Sequence, residues 1–354
     1  MKVKNEMIRV GISIGDVNGV GVEVLIDALS DPRMFDGRQI VLYGNGDYVK
    51  FYKKLLNRNE FQYARIKNSN EIRGKKLQIL ELPNSQIEVR PGVASKESGK
   101  VAFDSLEAAV EDLASNKIDV LVTLPINKDT IQGEGFDFPG HTEYLAKMAN
   151  VDTPLMLLVD DLLRVGVATG HVSIKEVAEN ITQESLYEKI AIMEKSLRSD
   201  FGIHRPKIAV LGLNPHAGDN GLIGKEEIDV ISPVIKKFVG ENKLVFGPFG
   251  ADGFFGTANY KQFDGVMAMY HDQGLIPFKT LAFEKGVNFT AGLPIVRTSP
   301  DHGTAYEIVG KNVASSSSFR YAVYVACDVY RNRKSFRELT ASVLPIQPKK
   351  KKSY

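Results

Sequence analysis

The sequence predicts an α/β protein, built as a two-lobed α/β/α sandwich around a mostly parallel sheet. Short apolar runs alternate along the chain with segments whose apolar residues recur at helical spacing. Several of the apolar runs end in polar, glycine-containing turns. The length of 354 residues exceeds what one small domain needs, and chains of this size usually divide into two lobes. Strands that alternate with helices are typical of a parallel sheet covered by helices.

The N-terminal part of the chain contains three predicted strands and two predicted helices. The strands cover residues 8–14, 39–43 and 119–123, and the helical patterns cover residues 20–29 and 105–114. The run at 119–123 is apolar without alternation, which is typical of a buried parallel strand. Glycines flank an asparagine at residues 44–46 and predict a turn after the second strand.

The second part repeats the alternation. A helix is predicted to begin near residue 143 and to run to about 148. The predicted strands that follow cover residues 154–159, 163–168, 207–213 and 265–270. The strand at 207–213 has the strongest pattern of all.

Three short polar clusters come directly after predicted strands. They are Thr169-Gly170-His171, Asn214-Pro215-His216 and Tyr270-His271-Asp272. In open α/β sheets, ligands bind outside the carboxyl ends of the strands. Three histidines that reach the same edge of a sheet can therefore converge, although they are far apart in sequence.

The shared position of His171, His216 and His271 predicts a metal site. One histidine after a strand is usually structural, but three with the same placement favour ligation. Neutral imidazole suits zinc and other divalent metals, and three protein ligands with an open position describe a catalytic site. Asp272 and Asp252 could orient a ligand or take up a proton. Such a metal would polarise a substrate hydroxyl so that a hydride can leave the same carbon.

The composition excludes several other classes of protein. The formal net charge of +2 gives no reason to expect nucleic acid or an anionic membrane as a partner. The single cysteine, Cys327, excludes an internal disulfide and a cysteine-based zinc site, and its apolar neighbours predict a buried thiol. No secretory signal or membrane-spanning run is apparent, so a cytoplasmic protein is expected. The lysine run at Lys349–Lys352 is interpreted as a solvated tail.

Six segments, in this order, carry a resemblance to a known family. They are Val122–Lys128 (VTLPINK), Phe138–Ala146 (FPGHTEYLA), Leu213–Gly218 (LNPHAG), Ala268–Leu275 (AMYHDQGL), Gly286–Pro294 (GVNFTAGLP) and Arg297–Ala305 (RTSPDHGTA). From about Val10 to about Ala326 the chain resembles the 4-hydroxythreonine-4-phosphate dehydrogenases of vitamin B6 biosynthesis. That resemblance implies that His171, His216 and His271 bind one divalent metal, with Zn, Mg, Mn and Co all open.

The resemblance also implies a set of residues that contact a small phosphorylated substrate. They are His141, Thr142, Lys279, Asn288 and Arg297. Lys279 and Arg297 are cations suited to a phosphate or carboxylate, and apolar neighbours favour a lined pocket over an open surface. Thr142 is expected at a helix start, where its hydroxyl and the following N–H groups would offer an anion site.

The nucleotide signal lies near the C-terminus of the matching region. Residues 15–21 do not fit the G-x-G-x-x-G fingerprint and are interpreted as a tight strand-to-helix turn. Residues 301–311 are instead similar to the His-Gly-Ser-Ala loop of isocitrate and isopropylmalate dehydrogenases. Asp301, His302, Gly303 and Thr304 are therefore expected to contact NAD or NADP. Glu307 and Val309 depart from the usual pattern and leave the choice of nucleotide open.

The family implies an isocitrate/isopropylmalate dehydrogenase-like architecture. The first lobe, on the cofactor side, is expected to comprise residues 1–138 with 305–354. The second, residues 139–304, would carry the metal histidines and the dimer contacts. The active site would lie in the cleft between the lobes and be completed by the second subunit of a homodimer.

The implied reaction is NAD-dependent oxidation of 4-phosphooxy-L-threonine at its 3-hydroxyl. The product, 2-amino-3-oxo-4-phosphooxybutanoate, would lose carbon dioxide to give 3-amino-2-oxopropyl phosphate. Alternatives are oxidation of threonate or erythronate 4-phosphate or of an aromatic dihydrodiol, a metal-dependent phosphoester hydrolase, and a non-catalytic binding protein. Asp272, Lys279 and Asp252 all remain candidates for the general base.

Overall fold

The computed structural model describes residues 7–83, 86–133, 135–282 and 284–341. The strands are β1 (Ile8–Ser13), β2 (Arg38–Gly44), β3 (Tyr63–Ile66), β4 (Leu77–Glu81), β5 (Val120–Thr123), β6 (Leu155–Val159), β7 (Arg164–Val167), β8 (Lys207–Leu211), β9 (Leu244–Phe249), β10 (Gly265–Ala268), β11 (Val287–Ala291) and β12 (Arg297–Pro300). The α-helices are α1 (Gly21–Leu29), α2 (Gly46–Leu55), α3 (Lys96–Ala114), α4 (Lys128–Ile131), α5 (His141–Met148), α6 (Val177–Asn180), α7 (Gln183–Ser199), α8 (Ser232–Gly240), α9 (Ala251–Gly256), α10 (His271–Ala282) and α11 (Ser317–Ala341). The predicted lysine tail lies outside the described residues.

All of these strands belong to one twelve-stranded sheet, in the order β3-β4-β2-β1-β5-β12-β11-β6-β7-β10-β8-β9. Neighbouring strands are parallel except around β11 and β6, where β12–β11, β11–β6 and β6–β7 are antiparallel. Strand β12, the last of these strands along the chain, pairs with β5 and so joins the two halves of the sheet. The mostly parallel α/β class predicted from the sequence is confirmed, whereas the proposed lobe boundaries stay a prediction.

Both faces of the sheet are buried, but in different ways. Alternate residues of one strand belong to different cores, as Val120 and Val122 lie in one and Leu121 in another. The first core continues across both halves of the sheet, with Ile208 and Val210 of β8 as members. On the opposite face the core is divided into two clusters, one for each half of the sheet. A cleft between two lobes is therefore possible only on that divided face.

Several helix starts differ from the predictions. Residues 44–46 are not a turn, because α2 begins at Gly46 and the Asn45 side chain accepts a hydrogen bond from the backbone N–H of Asp47. Helix α3 begins well before residue 105, where Ser95 caps it through the N–H of Ser98. Both helix starts are set by a short side chain that accepts a hydrogen bond from the first turn. The periodicity of apolar residues carries no information about such caps.

The expectations for Cys327 and for residues 15–21 agree with the structure. Cys327 is buried in α11, and burial raises the pKa of its thiol to about 12. The turn at residues 15–21 is tight, since a Cβ atom on Gly15, whose φ is +65°, would meet the carbonyl oxygen of Pro125. In the part of the chain that the structure describes, no helix is long and apolar enough to cross a membrane.

Gly99 provides a test of the packing that carries α4 and the adjacent Asn127-Lys128 segment. A Cβ atom added at Gly99 would overlap the backbone carbonyl of Thr130. We expect Gly99→Ala to lower the free energy of unfolding by about 1–3 kcal/mol, because overpacking forces the two helices apart. Chemical denaturation monitored by circular dichroism measures the change.

The control is Gly240→Ala, at the end of α8, where an added Cβ would meet no atom within 4 Å. That variant should be neutral or slightly more stable, by less than about 1 kcal/mol. Equal stability of the two variants would contradict the proposed close contact between α3 and α4.

Candidate active site

A cavity of about 720 Å³ opens on the divided face of the sheet, at the carboxyl ends of β5 and β7. Ten of the site residues predicted from the sequence line it: His141, Thr142, His171, His271, Lys279, Asn288, Arg297, Asp301, His302 and Gly303. His216, Asp252, Asp272 and Thr304 are not part of its lining. The structure thus brings the predicted substrate residues together with most of the predicted nucleotide residues.

Arg297 is the most unusual group in this cavity. Its side chain is only 3% exposed, and its guanidinium donates to the hydroxyls of Thr123, at 2.7 and 3.1 Å, and of Thr290, at 3.3 Å. No carboxylate of the described residues forms an ion pair with it. Burial lowers the pKa of Arg297 to about 10, and the charge of Glu143 opposes that shift, so the group remains charged at neutral pH. A buried cation whose hydrogen-bond partners are all neutral is prepared to receive an anion.

Three buried polar atoms in the cavity wall have no hydrogen-bond partner among the described residues. They are Nε2 of His141, Oδ1 of Asn288 and Nε2 of His302. Burial, assisted by the charges of Arg297 and Lys128, lowers the pKa of His141 well below its ordinary value. The imidazole is therefore neutral. Buried polar atoms without partners are uncommon in proteins and indicate places where a ligand can supply the missing bond.

Thr142 does not occupy the position expected from the sequence. Helix α5 begins at His141, and Gly140 takes the N-cap position without a side-chain hydrogen bond. The predicted start near residue 143 is therefore two residues late, and Thr142 lies inside the first turn. Gly140 has an extended backbone and no side chain, so its own side chain cannot cap the first N–H groups of α5.

Lys279 and Asp301 connect the predicted substrate and nucleotide residues. The Nζ of Lys279, on α10, lies 3.3 Å from Oδ1 of Asp301, just after β12. Burial raises the pKa of Asp301, and the charge of Lys279 opposes that shift. His302 follows, and burial lowers its pKa. Its Nδ1 lies 3.0 Å from the carbonyl oxygen of Gly303, while its buried Nε2 has no partner among the described residues.

The predicted convergence of three strand ends is confirmed by the topology. Strands β7, β10 and β8 are parallel neighbours, so the segments that carry His171, His271 and His216 leave the same edge of the sheet. Hydrogen bonds connect these segments. The hydroxyl of Thr169 donates to the carbonyl of Met269 at 2.8 Å. Gln273 then accepts from the N–H of Met269 and donates to the carbonyl of Gly212, both at 2.7 Å.

The histidines themselves are only partly brought together. The ring centroids of His171 and His271 lie 5.9 Å apart. Nδ1 of His271 lies 2.7 Å from Oδ1 of Asp272, as expected of a metal ligand whose ring is oriented by a carboxylate. Within the described ranges, no three His, Cys, Asp or Glu side chains surround a common point. Burial lowers the pKa of His171 and favours the neutral imidazole that metals require. The donor chemistry fits a divalent metal, and the ligand assignment stays a prediction.

Comparison with known proteins places the chain in a family. The family model described as pyridoxal phosphate biosynthetic protein PdxA matches residues 36–326. A Bacteroides thetaiotaomicron protein named 4-hydroxythreonine-4-phosphate dehydrogenase is 46% identical over 346 residues, which cover 98% of this chain and 94% of that protein. The chain belongs to the PdxA family.

Two other relatives inform the fold and the range of substrates. The crystal structure of a 4-hydroxythreonine-4-phosphate dehydrogenase from Klebsiella pneumoniae is 32% identical, with a TM-score of 0.78, and the match covers 93% of this chain and 99% of that one. An Oceanobacillus iheyensis protein, named as a candidate D-threonate 4-phosphate dehydrogenase, is 37% identical over 90% of this chain and 97% of that protein.

Three charged residues of the cavity were not singled out from the sequence: Lys128, Glu143 and Lys189. Lys128 and Glu143 lie inside segments that carry the PdxA resemblance, and Lys128 follows the carboxyl end of β5. The strand-end rule applied to the three histidines would therefore have found Lys128. Lys189 lies on α7, and its Nζ donates to the carbonyl of Pro154 at 2.7 Å. No local motif indicates its position.

The neutral state of His141 predicts a pH dependence of stability. Its pKa is lowered in the folded protein from an ordinary value of 6.5, so the unfolded state binds more protons below that pH. Folding stability is therefore lost as the pH falls below about 6.5, by at most about 1.4 kcal/mol per pH unit for one group. We expect His141→Asn to lose less stability than the native protein between pH 7 and pH 5, measured by urea unfolding.

His204 provides the control, since it is an exposed histidine that does not line the cavity. His204→Asn should follow the native pH profile. If His141→Asn showed the native slope as well, the buried, neutral state of His141 would be refuted.

Proposed function

We propose that this chain catalyses NAD-dependent oxidation of the 3-hydroxyl of 4-phosphooxy-L-threonine, with a divalent metal. The 2-amino-3-oxo-4-phosphooxybutanoate product would then lose carbon dioxide to give 3-amino-2-oxopropyl phosphate. The observation that carries this proposal is the buried Arg297, which has no carboxylate partner among the described residues, in a cavity of a PdxA-family chain. A dianionic phosphate has the charge and the acceptor oxygens that this guanidinium lacks.

The other cavity residues receive roles that follow from their chemistry. Arg297, His141 and Asn288 would bind and orient the phosphorylated substrate, with His141 as a neutral hydrogen-bonding group. His171, His216 and His271 would hold the metal, and Asp301, His302, Gly303 and Thr304 would contact the nucleotide. When bound, the metal polarises the substrate hydroxyl and the nicotinamide accepts the hydride from the same carbon.

Among the three candidate bases, we favour Lys279. It lines the cavity, whereas Asp252 and Asp272 do not. Its Nζ lies 3.3 Å from Oδ1 of Asp301. As a free amine, Lys279 would take the proton of the 3-hydroxyl, and the ammonium so formed would return a proton to the carbon that loses carbon dioxide. Asp272 instead orients His271 through its ring nitrogen.

We also propose that the active site is shared within a homodimer. His216 lies outside the cavity lining, beside a surface that exposes Leu222, Ile223 and Ile228, at 82%, 44% and 51%. Exposed apolar residues in a cluster favour a contact with another protein surface. Under this proposal the monomer would carry all three histidines and remain inactive.

The direct test is a mixture of purified protein, 4-phosphooxy-L-threonine, NAD and one of Zn, Mg, Mn or Co. Formation of NADH absorbance would support the proposal, and its absence with every metal would overturn it. NADP in place of NAD identifies the preferred nucleotide. D-threonate 4-phosphate is the second candidate substrate, because the Oceanobacillus relative carries that name at 37% identity. A higher kcat/KM for the hydroxy acid would select this alternative.

The role of Arg297 gives a sharper prediction. If Arg297 binds substrate, its removal weakens substrate binding and does not lower the Tm, whereas removal of a residue that stabilises the fold lowers the Tm. We expect Arg297→Met to raise the KM for the phosphorylated substrate by about 100-fold or more, since a buried charged hydrogen bond contributes several kcal/mol. The same variant should keep or raise the Tm, because removal of a buried cation with no carboxylate partner removes a desolvation cost. Steady-state kinetics and differential scanning fluorimetry measure the two effects.

Arg164→Met is the matched control, since Arg164 is another largely buried arginine and does not line the cavity. Its KM should equal the native value. A native KM in Arg297→Met would contradict the assignment of Arg297 to the substrate.

A further inference from the structure

We propose that Glu227 is a positioning residue that sets the orientation of His216 by holding the turn in which His216 lies. This inference deepens the proposed metal site and rests on it for its functional meaning. Nothing in the sequence pattern marks Glu227, which lies in neither a strand-end cluster nor the cavity lining. Its environment shows instead what it does to the backbone around His216.

The carboxylate of Glu227 is buried and directed at the segment between β8 and His216. The residue is 3% exposed. Its Oε1 accepts hydrogen bonds from the backbone N–H groups of Leu213 and Asn214, both at 2.7 Å. Its Oε2 accepts from the side-chain amide of Asn214 at 2.9 Å. A buried carboxylate is costly unless such bonds replace its hydration, so these three bonds keep the chain at residues 213–214 in one position.

The backbone that follows adopts a conformation that needs such support. Residues His216 to Asn220 all have positive φ, between 42° and 81°, and four of these five residues are not glycine. A left-handed conformation costs roughly 1–2 kcal/mol for each residue that has a Cβ atom. Strain of this kind persists only where the surrounding structure imposes it, and it concentrates at functional sites. The turn therefore requires an external support.

Glu227, which lies outside the turn in sequence, supplies that support by packing against it. A Cβ atom on Gly218, whose φ is +81°, would lie 2.5 Å from Oε2 of Glu227, and one on Gly212 would lie 3.1 Å from Oε1. The carboxylate thus packs against both ends of the segment that carries His216. The helix that presents it opens with a π-turn at Glu227–Ile231, a widened geometry that often occurs at functional sites.

The amide of Asn214 makes the requirement for a carboxylate specific. Its Nδ2 donates to Glu227 and also to Oε2 of Glu226, at 2.7 Å. In Glu227→Gln, the new oxygen can still accept the two backbone N–H groups, but its NH₂ group then faces the NH₂ of Asn214. Rotation of the Asn214 amide would relieve that clash and would instead direct the Asn214 oxygen at the Glu226 carboxylate. One of the hydrogen bonds is lost in either case.

Glu226→Gln is the matched control. It is the adjacent residue, it carries the same change, and its new oxygen can still accept the Asn214 amide. It also forms no hydrogen bond with the backbone of residues 212–218 among the described contacts. A difference between the two variants therefore reports the position of the carboxylate and not the loss of one negative charge near the site.

The experiment measures two properties of the native protein and of both variants. The first is amide hydrogen exchange of residues 212–222 by mass spectrometry, without metal. The second is the affinity for Co²⁺ alone, by its visible absorption. We expect Glu227→Gln to exchange faster mainly in this segment, with a Tm lowered by only a few degrees, and to bind Co²⁺ roughly 10- to 100-fold more weakly. Glu226→Gln should match the native protein in both measurements.

The two measurements separate the inference from the proposed function. Native exchange rates in Glu227→Gln would overturn the positioning role, whatever the metal does. Faster exchange with native Co²⁺ affinity would overturn the link from Glu227 to a metal-binding His216. If the native protein binds no Co²⁺ while the variant still exchanges faster in this segment, the metal site of the proposed function fails and the support of the turn by Glu227 stands.

Discussion

The buried charge of Arg297 is the constraint on which the arrangement of the cavity depends. The guanidinium lies on β12, the strand that joins the two halves of the sheet, and its protein partners are the neutral hydroxyls of Thr123 on β5 and Thr290 on β11. A cation in this position is unfavourable for folding without an anion, and a structure selected for stability alone would place an apolar residue there. The neutral His141 and the unpaired oxygen of Asn288 likewise cost folding stability and leave a hydrogen-bonding atom free for a ligand.

The division of the core on one face of the sheet explains why the cavity lies where it does. One core continues across the sheet, and so it connects the two halves rigidly on that face. The opposite face has two separate cores, and the cavity, lined by both polar and apolar residues, lies between them. On the far side of this space, Thr169, Met269, Gln273 and Gly212 form a continuous set of hydrogen bonds across three strand ends. Glu227 extends this set to the turn of His216.

Features that depend on neighbouring residues in the sequence were predicted more accurately than features that depend on contacts between distant residues. Apolar runs such as 207–213 identified strands well, because burial on both faces of a sheet needs continuous apolar sequence. Helix starts were less accurate, since a single hydrogen bond decides them, accepted by the side chain of Asn45 or of Ser95 from a backbone N–H of the first turn. Lys189 reaches the cavity from α7 through packing alone, and the left-handed turn at His216 depends on a carboxylate eleven positions further along the chain. Interactions of that kind leave no periodic trace.

The three histidines show most clearly which features the sequence determined and which the tertiary structure decided. The sequence by itself determined that each follows a strand, since strand and polar turn are adjacent in the chain, and family motifs around them indicated a dehydrogenase. Only the tertiary structure decided that β7, β10 and β8 are neighbours, because strand order depends on which faces can be buried together. It also decided that His171 and His271 lie side by side while His216 stands apart in a strained turn. Local sequence sets where a side chain leaves its strand, and long-range packing sets what it meets.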